Sequence, residues 1–241
     1  AAAVTDRSFA VPDGVNNGQY GVGIVIDFFG LAGKYSGFPV DFVYPSMTSV
    51  VPANIALIAG GKNPDEAKKF MAFSMSTEGQ QLLFDPKISR LPILPYSQLK
   101  APAGYPDPQE VAKRAKVQFD ANLSEARYQV VTSLFDQMVT FRLKELQGAT
   151  KAIQDAEKAL KAKPNARGSD LVKQARALAY TPLVGAENVK NEQFLELFRK
   201  SRRDVEVSKQ LSGQEQLWAN KARENYARAQ QLATEARGLA K

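Results

Sequence analysis

Six prolines fall between residues 85 and 108, at positions 86, 92, 95, 102, 106 and 108. Each fixes its own φ, removes a backbone donor and pushes the preceding residue out of the helical region. No regular helix passes through such a stretch, and it reads as an extended, semi-rigid connection. It divides the 241-residue chain into two regions whose hydrophobic periods differ. The expected boundaries are 1–106 and 107–241.

The first region carries the period of strands. Tyr20, Val22, Ile24 and Ile26 alternate within residues 18–26. Residues 39–44 read as a second strand stopped by Pro45. Residues 50–59 read as a third, with Pro52 near its start and Gly60-Gly61 at its end. A helix follows, with Asn63 as N-cap, Pro64 at the first helical position and Asp65 and Glu66 at the positive end of the dipole. Ser76 opens its continuation towards Phe84. The strand at 22–26 is apolar on both faces and asks for cover on both, as in a parallel sheet. Three strands supply few partners for that, so the region reads as the second part of a larger α/β unit.

The second region carries the period of helices. One long helix is expected over 124–162, with Val130, Leu134, Met138 and Phe141 on one stripe. Lys163-Pro164-Asn165 ends it. A helix over 168–180 stops at Thr181-Pro182, and another begins near Asn188 with Phe194, Phe198 and Val205 on one side. Ser212 and Glu215 form a capping-box pattern that opens the last helix, whose stripe is Trp218, Ala222, Tyr226, Ala229 and Ala233. Trp218 reads as core. The fold class expected is therefore α/β followed by all-α, the second region an antiparallel helical set.

Composition excludes much chemistry. The chain has no cysteine and no histidine, which removes disulfides, thiolate and imidazole metal sites, thiol nucleophiles and Ser-His-Asp triads. No acid/base pair is recognisable, and the expectation is no enzyme, no metal and no cofactor. The glycines at 18, 21 and 23 lie before and within a strand, which is not a dinucleotide fingerprint. The net charge of +7 lies wholly in residues 101–241, with 24 Lys/Arg against 17 Asp/Glu. Its signs are mixed along the helices, as in a solvated surface, and no aromatic-interleaved basic patch accompanies them. Nucleic acid is not the expected partner. No run reaches the ~20 apolar residues of a membrane span. The N-terminus has no signal-peptide pattern and no initiating Met, which reads as a mature form or a piece of something longer.

Several runs carry a likeness. They are residues 13–30 (Asp-Gly-Val-Asn-Asn-Gly-Gln-Tyr-Gly-Val-Gly-Ile-Val-Ile-Asp-Phe-Phe-Gly), Gly37-Phe-Pro-Val-Asp-Phe-Val-Tyr-Pro45, Val51-Pro-Ala-Asn-Ile-Ala, Gly61-Lys-Asn-Pro-Asp-Glu-Ala-Lys-Lys-Phe70 and Ser76-Thr-Glu-Gly-Gln80. Together they resemble the C-terminal half of type 2 periplasmic solute-binding proteins of ABC importers, in the branch of ferric-iron, phosphoglycerate and phosphonate binders. The resemblance covers roughly residues 10–100. It implies a partial periplasmic-binding-protein-like sheet whose N-terminal part is absent, a periplasmic location, and closure of two lobes over a solute as mechanism. Residues 107–241 then form a helical extension.

The ferric-binding relatives place adjacent tyrosines where this chain has Asp27-Phe28-Phe29. Losing both phenols, with no histidine, argues against iron; the remaining chemistry suits an organic anion or a polyol, and a small anionic solute, phosphorylated or phosphonate, is expected. The candidate ligand-binding residues are Asp27, Phe28, Tyr44, Ser46 and Thr48. Asp27 sits at a strand end, where open α/β sheets bind ligands; its alternative role is a helix N-cap. Ser46 and Thr48 could donate to anionic oxygens or simply make a turn. Tyr44 could donate its hydroxyl, stack on an apolar ligand face, or be an ordinary strand-end aromatic. Arg90 reads as half of a surface or structural ion pair. The expected partners are the solute, an ABC permease or membrane sensor protein, and a second copy meeting an exposed sheet edge. The alternative function is a helical interaction module whose basic helices contact a partner protein, an anionic membrane or nucleic acid.

Overall fold

A computed structural model describes residues 3–185, 187–200 and 204–240. The chain forms two compact units: residues 5–119, and residues 120–241 joined by the first four residues.

The first unit contains five short helices: α1 (Ala10–Asn16), α2 (Asp27–Tyr35), α3 (Pro64–Ser74), α4 (Thr77–Gln81) and α5 (Pro108–Arg114). Pro64 and Pro108 both occupy the first turn, where a missing N–H is no loss. Ser76 caps α4 by accepting from the Gly79 N–H at 3.1 Å. The core is small. Leu31, Phe84 and Tyr105 are buried, with Tyr35, Phe42, Leu91, Tyr96, Leu99 and Ala101 packed around them. Tyr105 meets Phe84 edge-on at 5.0 Å between ring centroids. The proline-rich stretch is irregular, as its composition requires, and it packs: Ser89 and Pro92 are almost wholly buried. Gly30 allows Phe42 to lie directly on α2, since a Cβ there would collide with its ring.

The expected α/β class fails here. Among the described residues there is no β-strand and no sheet; the one bridge joins Ser49 to Val117. Residues 22–26, 40–45 and 50–58 run free of helix, turn and bend, yet none pairs with another. A strand exists only as part of a ladder, because each backbone N–H and C=O needs a partner. Alternating Val and Ile favour an unbent backbone but cannot supply the neighbour. The side chains expected to be covered are consequently bare, with Val22 87% and Ile24 94% exposed. The partial periplasmic-binding-protein-like sheet is therefore absent.

The second unit is helical: α6 (Ala121–Met138), α7 (Leu143–Ala162), α8 (Ala166–Tyr180), α9 (Glu192–Lys200) and α10 (Val205–Leu239). At 35 residues, α10 is the spine against which α6, α7, α8 and α9 pack. The α7–α8 seam pairs Leu160 with Gly168 and Thr150 with Tyr180, so these two helices are antiparallel. The core where α7, α8 and α10 meet is largely alanine: Ala149, Ala156, Ala175, Ala179, Ala222, Ala229, Ala233 and Ala236 are buried together with Ile153 and Tyr226. Small side chains let the backbones approach closely while Ala keeps the highest helix propensity. Trp218 is core, as expected, stacked on Phe198 at 5.7 Å and packed with Val130 and Leu195.

Three helix boundaries differ from expectation, the simplest being that Val205, expected beside Phe194 and Phe198, opens α10 instead and is 72% exposed. The helix expected over 124–162 breaks at Val139, and a 3-10 turn, Thr140–Arg142, joins α6 to α7. Arg142 is buried there. Its Nε donates to the Ala219 carbonyl at 2.9 Å and its Nη1 to the Gln137 carbonyl at 2.8 Å, so the break is tied to α10. Phe141 drops out of the stripe and is 64% exposed. The last helix begins at Asp204, which accepts from the Glu206 and Val207 N–H groups, and runs straight through Ser212.

Candidate functional site

Asp27, the first residue of α2, uses both carboxylate oxygens. Oδ1 accepts from the Phe28 N–H at 2.8 Å, and Oδ2 accepts from the Tyr44 hydroxyl at 3.0 Å. The N-terminal charge role and the contact to Tyr44 thus coexist. Burial pushes the Tyr44 hydroxyl far above its ordinary pKa, and the Asp27 charge adds to it. Tyr96 is raised in the same way, and Tyr105 is pushed up to about 12, burial being the main cause in both. These phenols are donors throughout the physiological range.

Asp27, Tyr44 and Thr48 line one groove of about 910 Å³ within this unit, together with Val22, Ile24 and Val43. Phe28 and Ser46 are not among its lining residues. The Phe28 ring lies under Arg90, whose guanidinium carbon is 3.2 Å from the ring centroid. Arg90 therefore stacks on an aromatic face, and among the described residues it makes no ion pair, contrary to expectation. Ser46 contributes its carbonyl, which accepts from the Lys116 N–H at 3.3 Å. The groove wall is mostly apolar backbone and side chain, with two carboxylates, Asp27 and Asp41, both already engaged, Asp41 by Lys34 at 2.6 Å and by the Phe42 N–H at 2.8 Å. No cluster of three acidic residues capable of holding a metal occurs among the described residues.

A second groove, of about 1120 Å³, lies within the helical unit and is lined by Val131, Leu134, Phe135, Met138, Leu143 and Tyr180 among others. Val131 and Phe135 face solvent. Sequence reasoning singled out only the inner stripe of α6. The adjacent pairs Val130-Val131 and Leu134-Phe135 carried the missing signal, since they make the apolar stripe wider than one packing face requires. Some of the lysines and arginines on this unit are matched at short range: Lys151 to Asp155, Arg167 to Glu235, Arg176 to Glu157, and Arg199 to Glu192 and Glu196. No helix among the described residues is long and apolar enough to cross a membrane.

These features define a helical body joined to a small unit with unpaired apolar segments. No family model and no solved structure matches the chain. The chain is similar to the phosphoglycerate transport regulatory protein PgtC of Salmonella typhimurium, 30% identical over 159 residues, which are 66% of this chain and 38% of that protein. The same protein from Salmonella typhi matches with the same figures. The chain thus spans well under half the length of the curated relatives it matches. They carry the name of transport regulators. Together with the missing sheet, this overturns the resemblance to periplasmic solute-binding proteins and the reading as an ABC-importer solute-binding component that closes over an anionic ligand.

Proposed function

We propose that the chain is a non-catalytic interaction module that regulates transport, and that its helical unit engages a membrane sensor protein on the extracytoplasmic side. The observation that carries this reading is the similarity to phosphoglycerate transport regulatory proteins. The architecture supports it: more than half of the chain is a helical body with an alanine-sealed core, a rigid platform for a protein partner. Among the partner classes open to basic helices, a protein is favoured over nucleic acid or an anionic membrane. Several cations of this unit sit beside carboxylates of the same surface, so its positive charge is interrupted by negative charge.

The test presents the purified chain to right-side-out and inverted membrane vesicles from cells induced for phosphoglycerate uptake. Protein-free vesicles of the same lipids and duplex DNA are tested alongside. The expected result is saturable binding to right-side-out membranes, retained at moderate salt and abolished by protease treatment of their outer face. Deleting the coding sequence is expected to abolish induction of uptake by phosphoglycerate. Equal binding to protein-free vesicles overturns the reading, as does DNA binding that falls steeply with salt. Unchanged induction after deletion overturns it as well.

A further inference from the structure

The chain exposes 16574 Å² of surface. A folded monomer of this mass exposes about 10,600 Å², and two separate bodies of half the mass expose about 12,800 Å² together. The excess, roughly 3,700 Å² even on the second basis, is several times the ~800 Å² that one partner contributes to a standard interface.

Part of that excess can be assigned. Every residue from 49 to 66 is exposed, so the segment is bare on both faces. Within it, residues 53–58 read Ala-Asn-Ile-Ala-Leu-Ile, with Ile58 80% exposed. The run is free of helix, turn and bend, and none of its backbone N–H groups has a partner among the described residues. Pro52 lacks a donor and marks one end of any ladder; Gly60, at φ +77°, turns the chain at the other. The stretch between them has the length of an ordinary strand, about 5–6 residues.

We propose that residues 53–58 form an interfacial β-strand, pairing antiparallel with the same residues of a second copy of this chain. Charge is what selects the copy as occupant. No charged residue lies between 46 and 61, so two copies meet there without like-charge repulsion. The whole first unit is close to neutral, with 11 Lys/Arg against 10 Asp/Glu over residues 5–119. An exposed, uncharged, apolar segment without a Lys gatekeeper is its own template. A two-fold axis through the strand pair makes the interface isologous. The proposal does not depend on the regulatory function above.

The test combines sedimentation velocity over a concentration series with amide exchange. The wild-type chain is expected to show a reversible dimer, with exchange at 53–58 slowed as concentration rises. Ile55→Lys/Ala56→Lys places like charges directly opposite one another across the two-fold axis of the strand pair and is expected to weaken dimerisation about tenfold or more. Both side chains are exposed in the single chain, so their replacement leaves its core intact; unchanged circular dichroism verifies this. A monomer at every soluble concentration overturns the proposal. So does a dimer indifferent to the substitutions, association only with a different protein, or rapid exchange at 53–58 within the dimer.

Discussion

The two units solve the same backbone problem in opposite ways. In the helices of residues 120–240 the interior backbone groups are satisfied within their own helix, and side chains are needed to cap the ends and bring helices together. Alanine and a few large residues accomplish that, with Tyr226 as the peg: it is 1% exposed and its hydroxyl donates to the Met138 carbonyl at 2.8 Å. In residues 5–119 three apolar segments pair with no neighbouring strand, and the core rests on a handful of rings around Leu31. Identical side-chain types therefore carry different weight in the two units. Truncation shows this most strongly. Tyr226→Ala removes a filled core position and a buried hydrogen bond and is expected to cost about 3–5 kcal/mol. Ile24→Ala removes a side chain that touches mostly water and is expected to change stability by no more than about 0.5 kcal/mol. Urea unfolding followed by circular dichroism measures both. Comparable losses would erase the distinction between the units.

Alkaline pH separates the units by a second route. Tyr44, Tyr96 and Tyr105 in the first unit all have raised pKa values because burial disfavours the phenolate, and Tyr226 is raised for the same reason in the second. A tyrosine whose folded pKa lies above its unfolded value of about 10 stabilises fully below that pH. The contribution is lost as pH climbs from about 10 towards the folded value. Two of the three lie in or against the small core of the first unit and the third packs on Phe42, against one in a larger core. The first unit is expected to unfold first as pH rises. Trp218, the single tryptophan, reports the helical unit by its emission, while tyrosinate absorbance follows the phenols. A shift in Trp218 emission before the main rise in tyrosinate would reverse the expected order.

The same contrast explains what could be read from the chain. Helical periodicity is a local property, so the stripe Trp218, Ala222, Tyr226, Ala229 and Ala233 was legible, and all five residues are buried. The break at Val139 was not. It depends on Arg142 finding the Ala219 carbonyl, a partner 77 positions away. Strand patterning failed more completely, since the alternation at 20–26 describes one edge of a ladder and says nothing of the other. Of the candidate site residues, Asp27 and Tyr44 were brought together by a direct hydrogen bond, and Thr48 joins them on one groove. Phe28 and Ser46 fell elsewhere, because α2 turns Phe28 towards Arg90. No spacing in the sequence announced that stack.

The smallest effect concerns where α10 begins, and it tests whether local signals suffice even in the helical unit. Two residues compete as its cap. Ser212 with Glu215 has the capping-box spacing, whereas Asp204 offers only one carboxylate before Val205. In the structure Asp204 Oδ1 accepts from the Glu206 N–H at 2.9 Å and the Val207 N–H at 3.2 Å. Its charge also meets the positive end of the helix dipole. Ser212 lies within the helix and is exposed, so its hydroxyl has no orphan N–H to serve. Asp204→Ala is expected to cost about 1 kcal/mol and to speed amide exchange at Glu206 and Val207. Ser212→Ala is expected to fall within about 0.5 kcal/mol of the parent, since Ala is the better helix former at an interior position. The reverse ranking would start the helix a full two turns later and return residues 205–211 to the loop.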